Sequence, residues 1–354
     1  MSKAMTIYLG SYTDDAHPNG LKTLSLDKAT RRMEVMAEYP VSHAIYQALS
    51  SDGNWLYTCT GEGLTIFNCS CRGAEAQSDL LTLGNCVCHV AAMPDGKRVV
   101  FADYLGGFAG SVAVEGGRFG EPIIHRHSGS GPNLPRQDKA HCHQALPLPD
   151  GSGYCVVDLG LDELVEYPSG RVFKTFPAGA GPRHILFHPN GRLAFLVYEL
   201  GNKIASLSWN PDEGFRTLDI LGTLEKDVYN LGAAIRFTPD GRHVVVSNRG
   251  ENSLVVFSFD EATGRLAFKS RTFLAGNWPR AFIFVSPTLA LVAMERSGEV
   301  HVLYYDVATG DFKTIATLGG LFRPVALLCG PNREVEAGPL RYDDSLELKK
   351  VSLK

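Results

Sequence analysis

The residues best suited to chemistry in this chain are arginines, histidines and a glutamate that share one register. A series of turn glycines, Gly53, Gly96, Gly151, Gly191 and Gly241, serves as the ruler. Eight residues before them stand Ile45, Cys88, His143, Arg183 and Ala233; eight residues after stand Gly61, Tyr104, Leu159, Glu199 and Arg249. Arg280 takes the corresponding place in a copy that has lost its glycine, and Arg323 opens another. If each glycine closes a hairpin, both positions lie at the same end of it. The planar guanidinium fork suits carboxylate and phosphate. Cations gathered beside a low-dielectric channel are costly unless anions visit them. This predicts an anionic-ligand pocket with His143, Arg183, Glu199 and Arg249 at its centre, and with His141, Arg280 and Arg323 as further binding residues. A plain Arg183–Glu199 salt bridge stapling one hairpin is the simpler alternative.

Other chemistry finds less support. His125, His127, His141 and His143 form two H-x-H pairs around residues 115–140, a stretch that reads as a long insertion folding over the pocket rim. Alternate histidines on a strand can ligate a metal, but no matching carboxylate set accompanies these. His89, His184 and His188 read as structural. Among eight cysteines, Cys69/Cys71 and Cys86/Cys88 are C-x-C pairs, whereas structural zinc pairs are commonly spaced by about two to four residues. With no secretory leader to send them to an oxidising compartment, they read as reduced thiols. Asp158 and Asp162 read as a polar turn. No phosphate-binding Gly-rich loop and no G-x-S-x-G elbow occurs. The expectation is no metal and no cofactor.

The elements that must position these residues repeat. An apolar run, a Pro-Asp-Gly-like turn, a second alternating run, a polar break and a third run recur from Ala48, Ala91, Ala145, Ile185 and Ile235, and in degenerate form from Phe282. The turn glycines are 40 to 55 residues apart, a period that suits propeller blades. Apolar positions recur nearer every second residue than every 3.6, which disfavours helical solenoids. TIYLGSYT and GLKTLSLD near the N-terminus look like the second and third strands of a unit without its first; PVALLCG from Pro324 looks like that missing first strand. The reading is an all-β, seven-bladed β-propeller over residues 1–330, its last blade closed by N- and C-terminal strands, followed by a C-terminal tail over 331–354.

The chain has 354 residues with a net charge of −4, so no basic excess points to nucleic acid or to an acidic membrane. No run of residues is long and apolar enough for a membrane span, and the N-terminus lacks a signal peptide's apolar core. These features suggest a cytoplasmic protein whose partner is a small anionic molecule.

The segments HCHQALPLPDG, CVVDLGLDELVEY, AGPRHILFHPNG, YELGNKIASLSW and IRFTPDGRHVVVSNRGENSLVVF resemble the lactonase-type seven-bladed propellers. This family includes the propeller form of 6-phosphogluconolactonase and 3-carboxy-cis,cis-muconate lactonizing enzyme. The resemblance covers nearly the whole chain and is strongest over blades three to five. It implies an active site on His143, Arg183, Glu199 and Arg249, the four that the glycine register selects. It further implies hydrolysis of 6-phosphogluconolactone. Either Glu199 or His143 would take the water's proton; Glu199 beside Arg183 should stay ionised, which favours His143 as base with Glu199 orienting. The chain departs from the family pattern at Tyr198, where relatives commonly have Asn, and at Pro279-Arg280-Ala281, where they often have P-R-D. A muconate-type cyclase uses the same four residues and is the alternative enzyme. A non-catalytic propeller that binds a protein partner is the reading from another class.

Overall fold

The structure is a computed structural model that describes residues 4–70 and 73–331. The expected tail beyond Pro331, and Cys71 of the first C-x-C pair, lie outside the described residues. Strands assemble into seven four-stranded antiparallel sheets, the blades of a propeller. In blade four the strands are Pro182–Phe187, Leu193–Tyr198, Lys203–Asn210 and Gly214–Gly222. The turn between its first two shows why the repeat folds as it does. Asn190 Oδ1 accepts from the backbone N–H groups of Arg192 and Leu193 at 2.9 and 3.1 Å, and Gly191 supplies a φ of 69°. The five ruler glycines all sit between 68° and 72°, the left-handed region where a side chain is strained.

Val, Leu, Ala and Phe run almost unbroken along the inner strands, as in Leu193–Tyr198 and Leu289–Met294, because both faces of each blade are covered by its neighbours. Leu193, Phe195 and Val197 of blade four pack on Ile235, Phe237, Val244 and Val246 of blade five. Ile283, Val285, Leu289 and Leu291 of blade six pack on Ile7, Leu9, Leu24 and Leu327 of blade seven. The core is therefore a ring of inter-blade layers.

Blade seven is built from both ends of the chain, as its sequence fragments suggest. Pro324–Cys329 is its innermost strand and pairs with Met5–Ser11, which continues to Leu21–Leu26 and Met33–Tyr39. Blade six turns tightly between Phe282-containing Pro279–Ser286 and Leu289–Met294 without a glycine.

The blades contradict two details of the sequence reading. The repeat shows three strands per unit, but each blade has a fourth, outermost one. Its residues are largely exposed and mix polar with apolar types, as in Met33–Tyr39 and Phe312–Leu318, so its pattern is weak. Residues 115–140 are likewise not one insertion. Arg118–Arg126 is the fourth strand of blade two, paired with Phe108–Glu115, and the connecting loop only begins at His127.

Candidate active site

The same irregularity recurs at the mouth end of the innermost strands. The pairing register slips between Cys142 and Gln144, between Pro182 and His184, and between Pro279 and Ala281. The residues left over are His143, Arg183 and Arg280; blade two skips Cys88 in the same way. A bulge frees one residue from the ladder and re-aims its side chain. The second strands contribute their ends: Glu199 follows Tyr198, and Arg249 closes His243–Arg249.

These residues meet at the Glu199 carboxylate, which is buried. Its Oε2 accepts from Arg183 Nε at 2.9 Å and lies 2.7 Å from Arg249 Nη2; His143 Nε2 is 3.9 Å away. Arg183 Nη1 also donates to the carbonyl of Ala233 at 2.9 Å, and Arg249 Nη2 to that of Gly232 at 2.8 Å. His143 is buried with Nδ1 lacking any hydrogen-bond partner. Oε1 of Glu199 is taken by Arg136 Nη2 at 2.5 Å, a residue of the blade two–three loop that no repeat register could select.

A second carboxylate, Glu295, organises the adjoining part of the mouth. Arg280 Nη1 is 3.3 Å and Arg323 Nη2 2.5 Å from its two oxygens. Both guanidiniums lie over the Tyr12 ring, at 5.3 and 4.3 Å from its centroid. Glu295 follows Met294 as Glu199 follows Tyr198. It occupies the equivalent position on blade six, which the ruler missed because that blade lost its glycine. Trp278 holds a φ of 72°, unusual for a bulky residue. The guanidinium of Arg296 lies 3.4 Å from its ring centroid and that of Arg249 5.8 Å.

The electrostatics follow from burial and crowding. Burial alone pushes the Glu199 carboxyl up, but Arg249, Arg183, His143 and Arg136 outweigh it and hold it well below the usual carboxylate range. Burial, then Arg183, keeps His143 well below an ordinary histidine, so its imidazole is neutral. Burial and Arg249 push Arg183 down to about 9, still a cation at neutral pH. Burial opposes the charge of Arg280, but Tyr12 and Glu295 raise it. The two groups share one field, since Arg280 and Glu199 act on each other. Together they hold five guanidiniums against two carboxylates.

His141 stands beside this cluster as a buttress. Its ring stacks on Tyr104 with centroids 4.2 Å apart; Nδ1 is 2.8 Å from the Tyr104 carbonyl oxygen and Nε2 3.0 Å from Asp138 Oδ1. His184 lies 5.1 Å and His89 a further 5.7 Å beneath His143, ring to ring. The two H-x-H pairs do not converge. His125 stacks on Tyr167, whereas His127 reaches Asp158 Oδ2 at 2.8 Å and the Tyr167 hydroxyl at 3.0 Å. His127, Cys142 and Asp158 offer three possible ligand atoms within 4.8 Å of one another. Asp158 Oδ1 also accepts from the backbone N–H groups of His141 and Leu161, at 2.9 and 3.1 Å. The group is spent on tying the loop to blade three. Cys59, Cys69, Cys86, Cys88, Cys142, Cys155 and Cys329 are free thiols. No helix is long and apolar enough to cross a membrane among the described residues.

Seven four-stranded blades closed into one ring make this a seven-bladed β-propeller. Residues 6–326 match the family described as lactonase, 7-bladed β-propeller, and the chain belongs to that family of lactone-hydrolysing enzymes. Among curated relatives it is similar to the 6-phosphogluconolactonase of Bacillus subtilis (strain 168), with 31% identity over 341 residues, covering 90% of this chain and 97% of the relative. Among solved structures, a Lactobacillus plantarum protein shares 28% identity with a TM-score of 0.83, covering 92% of this chain and 99% of that one. The periplasmic gluconolactonase of Pseudomonas aeruginosa has the same fold at 23% identity, with a TM-score of 0.85 over 93% of this chain and 99% of that one.

Proposed function

We propose that the protein hydrolyses a sugar lactone bearing a second anionic group, and that 6-phosphogluconolactone is the substrate. The observation that carries this reading is the cation surplus of the mouth. Five guanidiniums face two carboxylates, leaving three positive charges that an uncharged lactone would not neutralise. The 6-phosphogluconolactonase of B. subtilis, alike over nearly its full length, supports the same substrate.

In this reading the lactone carbonyl lies beside Arg183 and Arg249, whose guanidiniums stabilise the oxyanion as water adds. Neutral His143 accepts the water's proton; a positioned base of this kind is worth roughly 10²–10⁴-fold. The tetrahedral adduct collapses by breaking the ring C–O bond. The departing ring oxygen takes the proton back from His143, and the open-chain acid gives up its remaining proton to solvent and leaves as the carboxylate. Glu199, saturated by arginines, is a poor base. It fixes the guanidiniums and faces the imidazolium that forms. Solvent-facing guanidiniums, Arg280 and Arg323 among them, hold the remote phosphate. No resident metal or cofactor enters this scheme.

The test is the hydrolysis rate of fresh δ-6-phosphogluconolactone, corrected for spontaneous opening, beside that of unphosphorylated gluconolactone. A rate above background with the phosphorylated compound preferred is expected. Background rates with both, while a carboxymuconate is cyclised in a parallel absorbance assay, would replace hydrolysis with lactonization.

A further inference from the structure

Arg136 differs from the other arginines around Glu199. Arg183 and Arg249 are 4% exposed, whereas Arg136 is 36% exposed. The first two are also tied to backbone carbonyls of blade five. Arg136 reaches Glu199 from the loop side, and its other partner is the Tyr104 hydroxyl at 3.1 Å. It takes Glu199 Oε1, while Arg183 and Arg249 share Oε2.

The loop that carries it is firmly seated on either side. Gln137 Nε2 donates to the Leu159 carbonyl at 2.7 Å, and its Oε1 accepts from the Asn133 N–H at 3.0 Å. Lys139 Nζ donates to the Leu105 carbonyl at 2.6 Å, and His141 stacks on Tyr104. The backbone is held by the scaffold, while the guanidinium, on its long stem, is held by Glu199 and the Tyr104 hydroxyl alone. A guanidinium paired with one carboxylate oxygen at the solvent edge can exchange that partner for an incoming anion at little cost in desolvation. Arg183 and Arg249, already dehydrated and bonded to the scaffold, cannot.

We propose that Arg136 is the specificity-determining residue for an anionic over an uncharged lactone: it leaves Glu199 for the substrate's anionic group and so couples binding of that group to the reacting end. The assignment rests on the lactonase reading and deepens it. Two consequences follow from charge alone. The anion gains a guanidinium, so KM is lower for the phosphorylated lactone. Glu199, relieved of one of its cations, is freer to stabilise the imidazolium forming at His143, so kcat is higher as well. A residue that merely shaped the loop would affect both lactones alike.

The experiment compares the wild-type protein with R136Q, R136K and Y104F on phosphorylated and unphosphorylated δ-gluconolactone. Calorimetric binding of 6-phosphogluconate against gluconate is measured in parallel. In R136Q the phosphorylated-to-unphosphorylated ratio of kcat/KM is expected to fall at least tenfold, through a higher KM for the phosphorylated lactone and a higher kcat for the unphosphorylated one, whose Glu199 is then relieved as well. R136K should recover part of the ratio, and Y104F, which frees the guanidinium from its phenol, should change it in the same variants series by a smaller factor. The acid limb of the R136Q pH profile should move to higher pH, because His143 then faces a less neutralised Glu199. A ratio that falls less than tenfold, with both lactones losing activity together, overturns the proposal. Absence of turnover in the wild type would count against the lactonase reading itself; the binding arm still decides whether Arg136 selects the phosphorylated ligand. Thermal melts of R136Q and R136K show whether either fails to fold, and R136K carries the test if R136Q does.

Discussion

Three guanidiniums on one buried carboxylate make Glu199 both the electrostatic keystone of the mouth and an unsuitable proton acceptor. Glu199→Gln removes the counterion of Arg183 and Arg249, which remain buried. Breaking a buried pair costs about 3–5 kcal/mol. The variant should therefore melt lower as well as lose at least tenfold in kcat, read by calorimetry and by lactone turnover. His143→Ala should lose at least tenfold in kcat with a much smaller change in melting, since no hydrogen bond is sacrificed at Nδ1. The pH profile has a defined sign. The base must be neutral, and burial with Arg183 holds His143 well below the usual histidine value. The acid limb of kcat/KM should then lie well below the 6.5 of an unperturbed imidazole. A limb at 6.5 or above would remove His143 from that role.

At the scale of the strand and turn, legibility depended on whether a residue was tied to the repeat. His143, Arg183, Glu199 and Arg249 lie at fixed offsets from their glycines, so counting could bring them together. Glu295 has the same station, but its blade turns without glycine and the count had no origin. Arg136 lies on a loop between blades, where spacing carries no three-dimensional meaning. The outermost strands were missed because their two faces are largely wetted and need no apolar alternation. Asp103 shows how such strand ends also set stability. It accepts from the Gly106 N–H at 2.5 Å through Oδ1, while Oδ2 is buried without a partner. Burial pushes it up to about 6 from 3.8. Its folded form binds the proton more tightly than the unfolded chain does. Stability from this group is thus complete below about pH 4 and is lost as pH rises through 6, by ~3 kcal/mol. Asp103→Asn should raise the melting temperature at pH 8 by ~4 °C and make no difference at pH 4; equal melting at pH 8 would show that the carboxylate is satisfied.

For the molecule as a whole, the closure of blade seven is the decisive contact. Pro324–Cys329 is nearly all buried and closes the seam where the two chain ends meet, against Met5–Ser11. Removing 324–354 strips the innermost strand and exposes Met5–Ser11 as a free edge, which invites pairing with other chains. That protein should melt far lower or elute as aggregates in size-exclusion chromatography. The same two-ended closure also completes the mouth, because Arg323 stands just before the closing strand and beside Glu295.

The bulged slot at the head of the inner strands of blades two, three, four and six has a wider implication. Its occupant is excused from the ladder, so Cys88, His143, Arg183 and Arg280 can differ completely while the pairing on either side keeps one pattern. Architecture and reactivity are thereby written on separate residues. A propeller of this kind can exchange the occupants of its mouth, and with them its preferred substrate, while the blades remain as they are.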